Sequence, residues 1–109
     1  LSDVPNMAIS SGYTNASWTL KCDLTCDYIC RLLNYMDKNS YKKCVPQNDD
    51  LTLERAAYMG LASGYVERAK DILPGQGVKT PWKLHQNYLK DVVMLRHGKL
   101  EDEAMVFTR

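Results

Sequence analysis

The sequence predicts a mainly α-helical segment with one short N-terminal strand, and three observations support this fold class. Apolar residues recur at helical spacing from about Ser17 to Lys38. Two later stretches, residues 64–73 and 80–98, carry helix start and stop signals. Residues 5–10, in contrast, form a short run that is apolar on both faces, which is typical of a buried strand in an α/β sheet.

The helix from about Ser17 to Lys38 carries the strongest pattern. Asp27 and Arg31 on its polar face are placed for an i,i+4 ion pair. The apolar arc is wider than a surface helix requires, so we expect the helix to pack against two neighbours. That arc combines a main stripe with a further flank: Trp18, Cys22, Cys26, Ile29, Leu33 and Met36, then Leu20, Leu24, Tyr28 and Tyr35.

Shorter elements follow this helix. Residues 44–46 are predicted to be extended, because a residue before proline avoids the α region. A second helix is predicted over 64–73, with Ser63 as its cap and Pro74 as its stop. The third starts with Thr80 as N-cap and Pro81 at the first helical position, and it ends at Gly98. The stretch 104–107 is predicted to be a short strand.

Composition narrows the function classes. The 109 residues suffice for one domain at most, and 45% hydrophobic with 25% charged residues is ordinary globular composition. The net charge is +1 and the basic residues are spread singly, which argues against a nucleic-acid partner. The sequence shows neither a membrane-length apolar run nor a secretory leader pattern.

Neither the cysteines nor the histidines form a catalytic or metal-binding motif. Cys22, Cys26 and Cys30 are spaced at i, i+4 and i+8 on the first helix without a nearby histidine, which is a poor zinc set. We interpret them and Cys44 as small buried hydrophobes of a reduced, cytosolic protein, and a thiol-based site on the first three is the alternative.

The two histidines also lie outside any motif. His85 is expected to be a hydrogen-bonded structural residue of the third helix. His97 is near the predicted C-terminus of that helix, where the dipole favours a cation. We therefore assign no catalytic residue and no metal ligand.

The turn at residues 12–19 is the part of the chain best suited to meet a cofactor. It joins the predicted strand to the long helix, and Thr14, Asn15 and Ser17 compete as N-cap residues. Backbone N–H groups at such a helix start carry partial positive charge, which suits an anion or a heterocycle with carbonyl oxygens. No glycine-rich dinucleotide fingerprint accompanies the turn, which indicates part of a larger enzyme.

Three blocks of sequence resemble the C-terminal part of class B flavin-dependent monooxygenases, with the Baeyer–Villiger type as the most similar branch. They occur in the family's order and span most of the chain. The first comprises residues 4–7 (VPNM), 12–21 (GYTNASWTLK), 23–24 (DL) and 31–33 (RLL). The others are 63–69 (SGYVERA) with 73–77 (LPGQG), and 81–88 (PWKLHQNY) with Asp91 and 95–98 (LRHG).

The resemblance implies a parent α/β enzyme with two dinucleotide-binding, Rossmann-like domains. Residues 1–40 would be the last strand and helix of the FAD-binding domain, and residues 41–109 a C-terminal helical extension. Ser11 departs from the family, which usually carries an aromatic residue there. By the same resemblance, the flavin end of the long helix would be lined by Thr14, Asn15, Ala16, Ser17 and Trp18.

The implied activity uses FAD and NADPH to oxygenate a small apolar ketone or sulfide through a peroxyflavin. Both Rossmann fingerprints and the signature sequence between them are absent from these 109 residues. We therefore expect the isolated segment to be inactive, to retain neither cofactor, and to need the remainder of the parent enzyme as its partner. An unpaired edge at 5–10 and an uncovered helix face also predict self-association. The alternative is a free-standing helical protein-interaction module that docks a partner helix.

Overall fold

A computed structural model of the chain describes residues 1–49, 52–53, 55–56, 64–69, 72 and 75–109. Within these residues, two short antiparallel strand pairs accompany the helices. The elements, in chain order, are α1 (Trp18–Lys38), β1 (Lys43–Pro46), β2 (Arg55–Ala56), α2 (Gly64–Ala69), β3 (Gln76–Gly77), α3 (Tyr88–Asp91), a π-helix (Val92–Arg96) and β4 (Met105–Thr108). Strand β1 pairs with β4, and β2 pairs with β3.

Helix α1 confirms the strongest sequence prediction and organises the rest of the fold. This 21-residue helix packs one of its sides against α3 and the π-helix. Leu24 is completely buried at this contact, and Met36 is buried near the other end of the helix. The helix ends at Asn39, and Ser40 then takes a left-handed backbone conformation that turns the chain into β1.

The pairing of β1 with β4 confirms the predicted extended stretches at 44–46 and 104–107. Lys43 lies opposite Thr108 and Pro46 lies opposite Met105. Cys44 and Val45 are buried. Beside the sheet, the rings of Tyr35, Tyr41 and Phe107 pack with centroids 5.1 to 6.0 Å apart. This sheet therefore closes the end of α1 opposite to the turn at residues 12–19.

The predicted N-terminal strand at residues 5–10 is wrong. These residues are exposed and lie in no strand. Asn6 adopts a φ of 53°, in the left-handed region, which interrupts an extended path. Its backbone N–H donates to the Cys44 carbonyl oxygen at 3.0 Å, and its side-chain oxygen accepts from the Cys44 N–H at 2.9 Å. One asparagine thus satisfies backbone groups of β1 that a paired strand would otherwise occupy.

The predicted start of the third helix is also wrong. Residues 80–87 are not helical, because the Gly77 N–H donates to the Trp82 carbonyl and the Trp82 N–H donates to the Lys79 carbonyl, which together hold a turn. Helix α3 instead begins after Asn87, whose side chain accepts from the Lys90 N–H at 3.1 Å. The predicted end near Gly98 agrees with the structure.

The second predicted helix, over 64–73, is confirmed at residues 64–69 but not at Ile72, which lies in a turn. Helix α2 begins at Gly64, as predicted, and is described to Ala69. Ser63, Leu73 and Pro74, which we assigned to its cap and its end, lie outside the described residues.

The predicted ion pair between Asp27 and Arg31 is wrong, because both side chains bind the segment that follows α3. Arg31 donates to the carbonyl oxygens of Leu95 and Gly98, each at 2.6 Å. Asp27 instead accepts from Arg96 Nε at 2.8 Å. Arginine offers several donors in a fixed fork, so it satisfies two carbonyls at the end of the π-helix at once.

The apolar arc of α1 is split between an inner and an outer side. The inner side, which faces α3 and the residues after it, carries the flank residue Leu24 together with Lys21 and Arg31. We call the main apolar stripe, excluding the buried Met36, the outer stripe: Trp18, Cys22, Cys26, Ile29 and Leu33. Trp18 is 48% exposed and Leu33 is 55% exposed, so this stripe stays open to solvent.

The cysteines correct the interpretation as buried hydrophobes. Cys44 is buried, but Cys22 is half-buried and both Cys26 and Cys30 are exposed. All four are free thiols. The interpretation failed because the first three lie away from the inner side of α1. Among the described residues, none of the helices combines the length and the hydropathy needed to cross a membrane.

Candidate functional site

The site begins with the exposed turn that leads into α1. Residues 14–20 are all exposed, and Ser17 occupies the N-cap position of the helix. The Ser17 side chain makes no capping hydrogen bond and instead lies 3.1 Å from the Thr19 hydroxyl oxygen. A 21-residue helix therefore presents its positive end to solvent without a side-chain cap.

Gln86 holds this turn from a distant part of the chain. Its side-chain oxygen accepts from the Thr14 N–H at 3.0 Å and from the Thr14 hydroxyl at 3.2 Å. Its backbone carbonyl accepts from the Asn15 side-chain amide at 3.1 Å. These three bonds fix Thr14 and Asn15 from a residue more than seventy positions further along the chain.

Gly12 and Trp18 fit closely against each other across the turn. A Cβ atom placed on Gly12 would overlap the indole ring and the Cα atom of Trp18. Only glycine leaves room for the indole there, so the ring is held against the turn on one side and is half exposed on the other.

A buried ionic network lies directly beneath the turn. Asp91, at the end of α3, is completely buried, and its Oδ2 accepts a hydrogen bond from the Tyr13 hydroxyl. The Lys21 ammonium donates to the same oxygen at 2.8 Å. The Lys21 side chain is only 14% exposed, so water screens this ion pair poorly.

The surroundings of Tyr13 favour its neutral form. Burial, and then the hydrogen bond to Asp91, raise the pKa of the Tyr13 hydroxyl well above its ordinary value. The Lys21 ammonium lies 5.3 Å from the centroid of the Tyr13 ring, and the Tyr88 ring packs edge-on at 6.5 Å. The phenol is therefore held as a hydrogen-bond donor in the physiological pH range.

The histidines line an open apolar groove on the other side of α3. His85 and His97 are both in its wall, together with Leu89, Val93 and Met94. His85 Nε2 lies 3.4 Å from the Thr80 hydroxyl oxygen, which agrees with a hydrogen-bonded structural role. Within the described part of the chain, no group of three or more His, Cys, Asp or Glu side chains is placed to hold a metal ion.

The structure places all five residues assigned to the flavin from the sequence along one exposed turn. Thr14, Asn15, Ser17 and Trp18 border one open turn, and Ala16 lies exposed between them. Sequence reasoning missed the supporting residues Tyr13, Lys21, Gln86 and Asp91. The one local signal was a lone carboxylate, Asp91, next to the apolar run 92–95.

The donor set at this turn fits the pyrimidine edge of a flavin. That edge carries carbonyl oxygens and gains negative charge when the flavin is reduced, and both properties match an exposed, uncapped helix N-terminus. The Gly12–Trp18 contact leaves one indole surface free for a flat ring.

Comparison with known proteins gives the family. The chain is 50% identical over all its 109 residues to the FAD-containing monooxygenase EthA of Mycobacterium tuberculosis. It is 49% identical over 110 aligned residues to the probable FAD-binding monooxygenase AlmA of Acinetobacter baylyi. The putative FAD-containing monooxygenase MymA of Mycobacterium tuberculosis is 43% identical over 108 residues, which cover 98% of this chain.

The match includes the whole chain but only part of each relative. The chain spans 22% of the length of EthA, AlmA and MymA. No family model matches it, and no solved structure matches it. Identity of 43 to 50% along the entire chain nevertheless exceeds what convergence at one turn could produce. The chain therefore belongs to the FAD-containing monooxygenases, as a segment of such an enzyme.

Proposed function

We propose that this segment is the C-terminal part of an FAD- and NADPH-dependent monooxygenase, and that its turn at residues 12–19 binds the pyrimidine edge of the flavin. The observation that carries the proposal is the identity along the whole chain to FAD-containing monooxygenases. The exposed and uncapped N-terminus of α1 supports the placement of the cofactor.

Each proposed flavin-binding residue has a physical task. Thr14 and Asn15 are fixed by Gln86, so the backbone of the turn keeps one shape when the flavin binds. Backbone N–H groups from Ala16 to Trp18 offer partial positive charge to the pyrimidine carbonyls. The exposed Trp18 indole excludes water from one side of the ring system.

Bound FAD would supply the redox chemistry, with NADPH as reductant and O₂ as the source of the inserted oxygen atom. In the balanced reaction, one substrate, one NADPH, one proton and one O₂ give one oxygenated product, one NADP⁺ and one water. We propose small apolar ketones or sulfides of the Baeyer–Villiger type as substrates. This chain contributes stabilisation of the negative charge that accumulates on the reduced cofactor, through the N-terminus of α1.

The remainder of the enzyme is the proposed partner of the outer stripe. Since the relatives are several times longer than this chain, most of the polypeptide that surrounds it in such an enzyme lies elsewhere in the sequence. Exposed Trp18, Cys26 and Leu33 lie on the side of α1 opposite to the described packing contacts. In this proposal residues 1–40 complete an FAD-binding domain of a cytoplasmic enzyme, and residues 41–109 form its C-terminal extension.

A charge substitution tests the placement of the flavin. In the full-length enzyme, Ala16→Asp puts a carboxylate at the exposed helix start, where it should stabilise α1 by about 0.5 kcal/mol through the helix dipole. The same charge should repel a reduced flavin and lower its midpoint potential by about 30 mV, the two-electron equivalent of a tenfold change. The matched control is Asn34→Asp, which adds the same charge at an exposed site on the distant half of α1.

The coding sequence decides between the proposal and the alternative of a free-standing interaction module. Two glycine-rich dinucleotide fingerprints upstream of residue 1 would support the monooxygenase. A native protein without them would contradict it and favour the helical module that docks a partner helix.

A further inference from the structure

We infer that Tyr13, Lys21 and Asp91 position the flavin-binding turn, as a buried clamp that sets the angle at which the N-terminus of α1 meets the cofactor. This inference rests on the proposed function. It assigns a task to three side chains that would not themselves touch the flavin, since all three are buried or nearly so.

The hydrogen bonds of the clamp tie both ends of the segment 13–21 to Asp91. Tyr13 is the buried residue near the start of the turn at residues 12–19, and Lys21 lies one helical turn inside α1. Both bind the same oxygen of Asp91, so the two ends of the segment 13–21 are tied to a single atom. Between these ends, Gln86 holds Thr14 and Asn15. The turn is therefore fixed at its start, at its middle and in the helix that follows.

The burial of Asp91 also supports a positioning role. Asp91 is completely buried, and its second oxygen, Oδ1, has no hydrogen-bond partner among the described residues. A buried carboxylate with an unsatisfied oxygen costs stability. Its presence at the base of the turn is explained if it fixes the position of the turn relative to α3. Charge-assisted bonds are short and directional, which suits this task better than apolar packing.

A second ion pair between the same two parts of the chain provides the matched control. Asp27 on α1 and Arg96 on the π-helix are joined at 2.8 Å, but both side chains are well exposed, at 50% and 39%. Asp27 lies further along α1 than Lys21, and the pair is therefore more distant from the turn. Breaking this pair removes an ionic contact between α1 and the π-helix that directly follows α3, and it leaves the clamp intact.

The experiment uses the full-length enzyme with Tyr13→Phe as the principal variant and Asp27→Asn as the control. Tyr13→Phe removes one hydroxyl and retains the ring, so the fold is preserved. Three quantities are measured: the FAD dissociation constant from flavin fluorescence, the midpoint potential of bound FAD, and amide hydrogen exchange at residues 14–17 in the apoenzyme. We expect Tyr13→Phe to raise the dissociation constant about threefold or more, in line with loss of one charge-assisted hydrogen bond. It should also shift the potential and speed the exchange, and Asp27→Asn should change none of the three.

The outcomes separate positioning from stability alone. Faster exchange at 14–17 with an unchanged dissociation constant and potential would overturn the inference, because the clamp would then serve the fold only. No change in any quantity would overturn it as well. Lys21→Met leaves the buried Asp91 carboxylate without its counter-charge, so it should change all three quantities in the same direction as Tyr13→Phe and by more. A wild-type enzyme that binds no FAD would refute the proposed function, whereas wild-type binding with unaltered variants would refute the clamp alone.

Discussion

The buried carboxylate of Asp91 binds the hydroxyl of Tyr13 across 78 residues of sequence. It thereby joins helix α3 to the buried residue near the start of the turn that leads into α1. Lys21 binds the same carboxylate oxygen at 2.8 Å. The first turn of α1, the longest described helix, is therefore held by a residue from the last third of the chain. These two contacts tie the N-terminal part of α1 to α3 where no side chain caps the helix.

Removal of Asp91 should be far more destabilising than removal of Asp27. Asp91→Ala leaves the Lys21 ammonium buried without a counter-charge, which typically costs about 3–5 kcal/mol. Asp27→Ala breaks an exposed pair and should cost less than about 1 kcal/mol. Denaturant unfolding of both variants measures the difference. Equal losses of unfolding free energy would show that the buried network is not what holds α1 to α3.

Alkaline pH should weaken the fold through Tyr13. Because the folded-state pKa of Tyr13 is raised above its unfolded value, its contribution to stability is complete below about pH 10. That contribution is lost as pH rises above the unfolded value, since only the unfolded chain then releases the proton. Tyr13→Phe should make the decline of unfolding free energy shallower by up to about 1.4 kcal/mol per pH unit.

Other tyrosines supply a control for this pH dependence. The hydrogen bond with Glu101 raises the pKa of Tyr35 to about 12, so Tyr35 also contributes to the alkaline decline. Tyr41 packs beside Tyr35 without participating in the Asp91 network. A Tyr41→Phe variant should retain the wild-type contribution of Tyr13. Parallel pH profiles for wild type and Tyr13→Phe would contradict the assignment.

Gly12 should tolerate no side chain, because the Trp18 indole occupies the position of a Cβ atom. Gly12→Ala must displace the indole or the turn, and overpacking of this kind typically costs about 1–3 kcal/mol. Trp fluorescence and thermal unfolding report the displacement and the loss of stability. Gly64→Ala is the control, since among the described residues the added Cβ would meet only the flexible end of Arg68, at 3.3 Å. A Gly12→Ala protein with wild-type emission and stability would rule out the close contact.

Thiol labelling should reveal what covers the outer stripe. In the isolated segment the exposed Cys26 should react quickly with iodoacetamide, and the buried Cys44 should react slowly because burial raises its pKa. In the full-length enzyme Cys26 should be protected, because the remainder of the protein packs on the stripe. Mass spectrometry after timed labelling measures both rates. Fast labelling of Cys26 in the intact enzyme would contradict that packing.

The same exposed stripe predicts self-association of the isolated segment. Leu33→Glu should reduce the association without affecting the inner side of α1, since Leu33 is 55% exposed. Sedimentation across a wide concentration range gives the result, and a wild-type monomer at all concentrations would refute this expectation.

Local patterns in the sequence predicted the elements that depend on local physics. Helix α1 was predicted from its apolar period, and the strand at β1 from the constraint that Pro46 places on its neighbour. Periodicity could not tell which side of α1 faces the rest of this chain. On the inner side, Lys21 binds Asp91 and Arg31 binds two carbonyl oxygens, all more than sixty residues away along the chain.

The wrong start of the third helix and the missed supports of the turn have different causes. Proline and threonine at residues 80–81 resemble a helix start, but the hydrogen bonds of Gly77 and Trp82 compete for the same stretch. The candidate turn was predicted from its glycine and its N-cap candidates. Its supports, Gln86 and Asp91, were not, because they reach it only through the tertiary fold.

The most direct test of the central claim is the midpoint potential of FAD in the full-length enzyme, compared between wild type and Ala16→Asp. If the turn binds the flavin, the Ala16→Asp carboxylate lowers the midpoint potential by about 30 mV, while α1 remains as stable or becomes slightly more stable. Asn34→Asp should leave the potential unchanged. If Ala16→Asp and Asn34→Asp both give the wild-type potential, the turn at residues 12–19 does not bind the flavin.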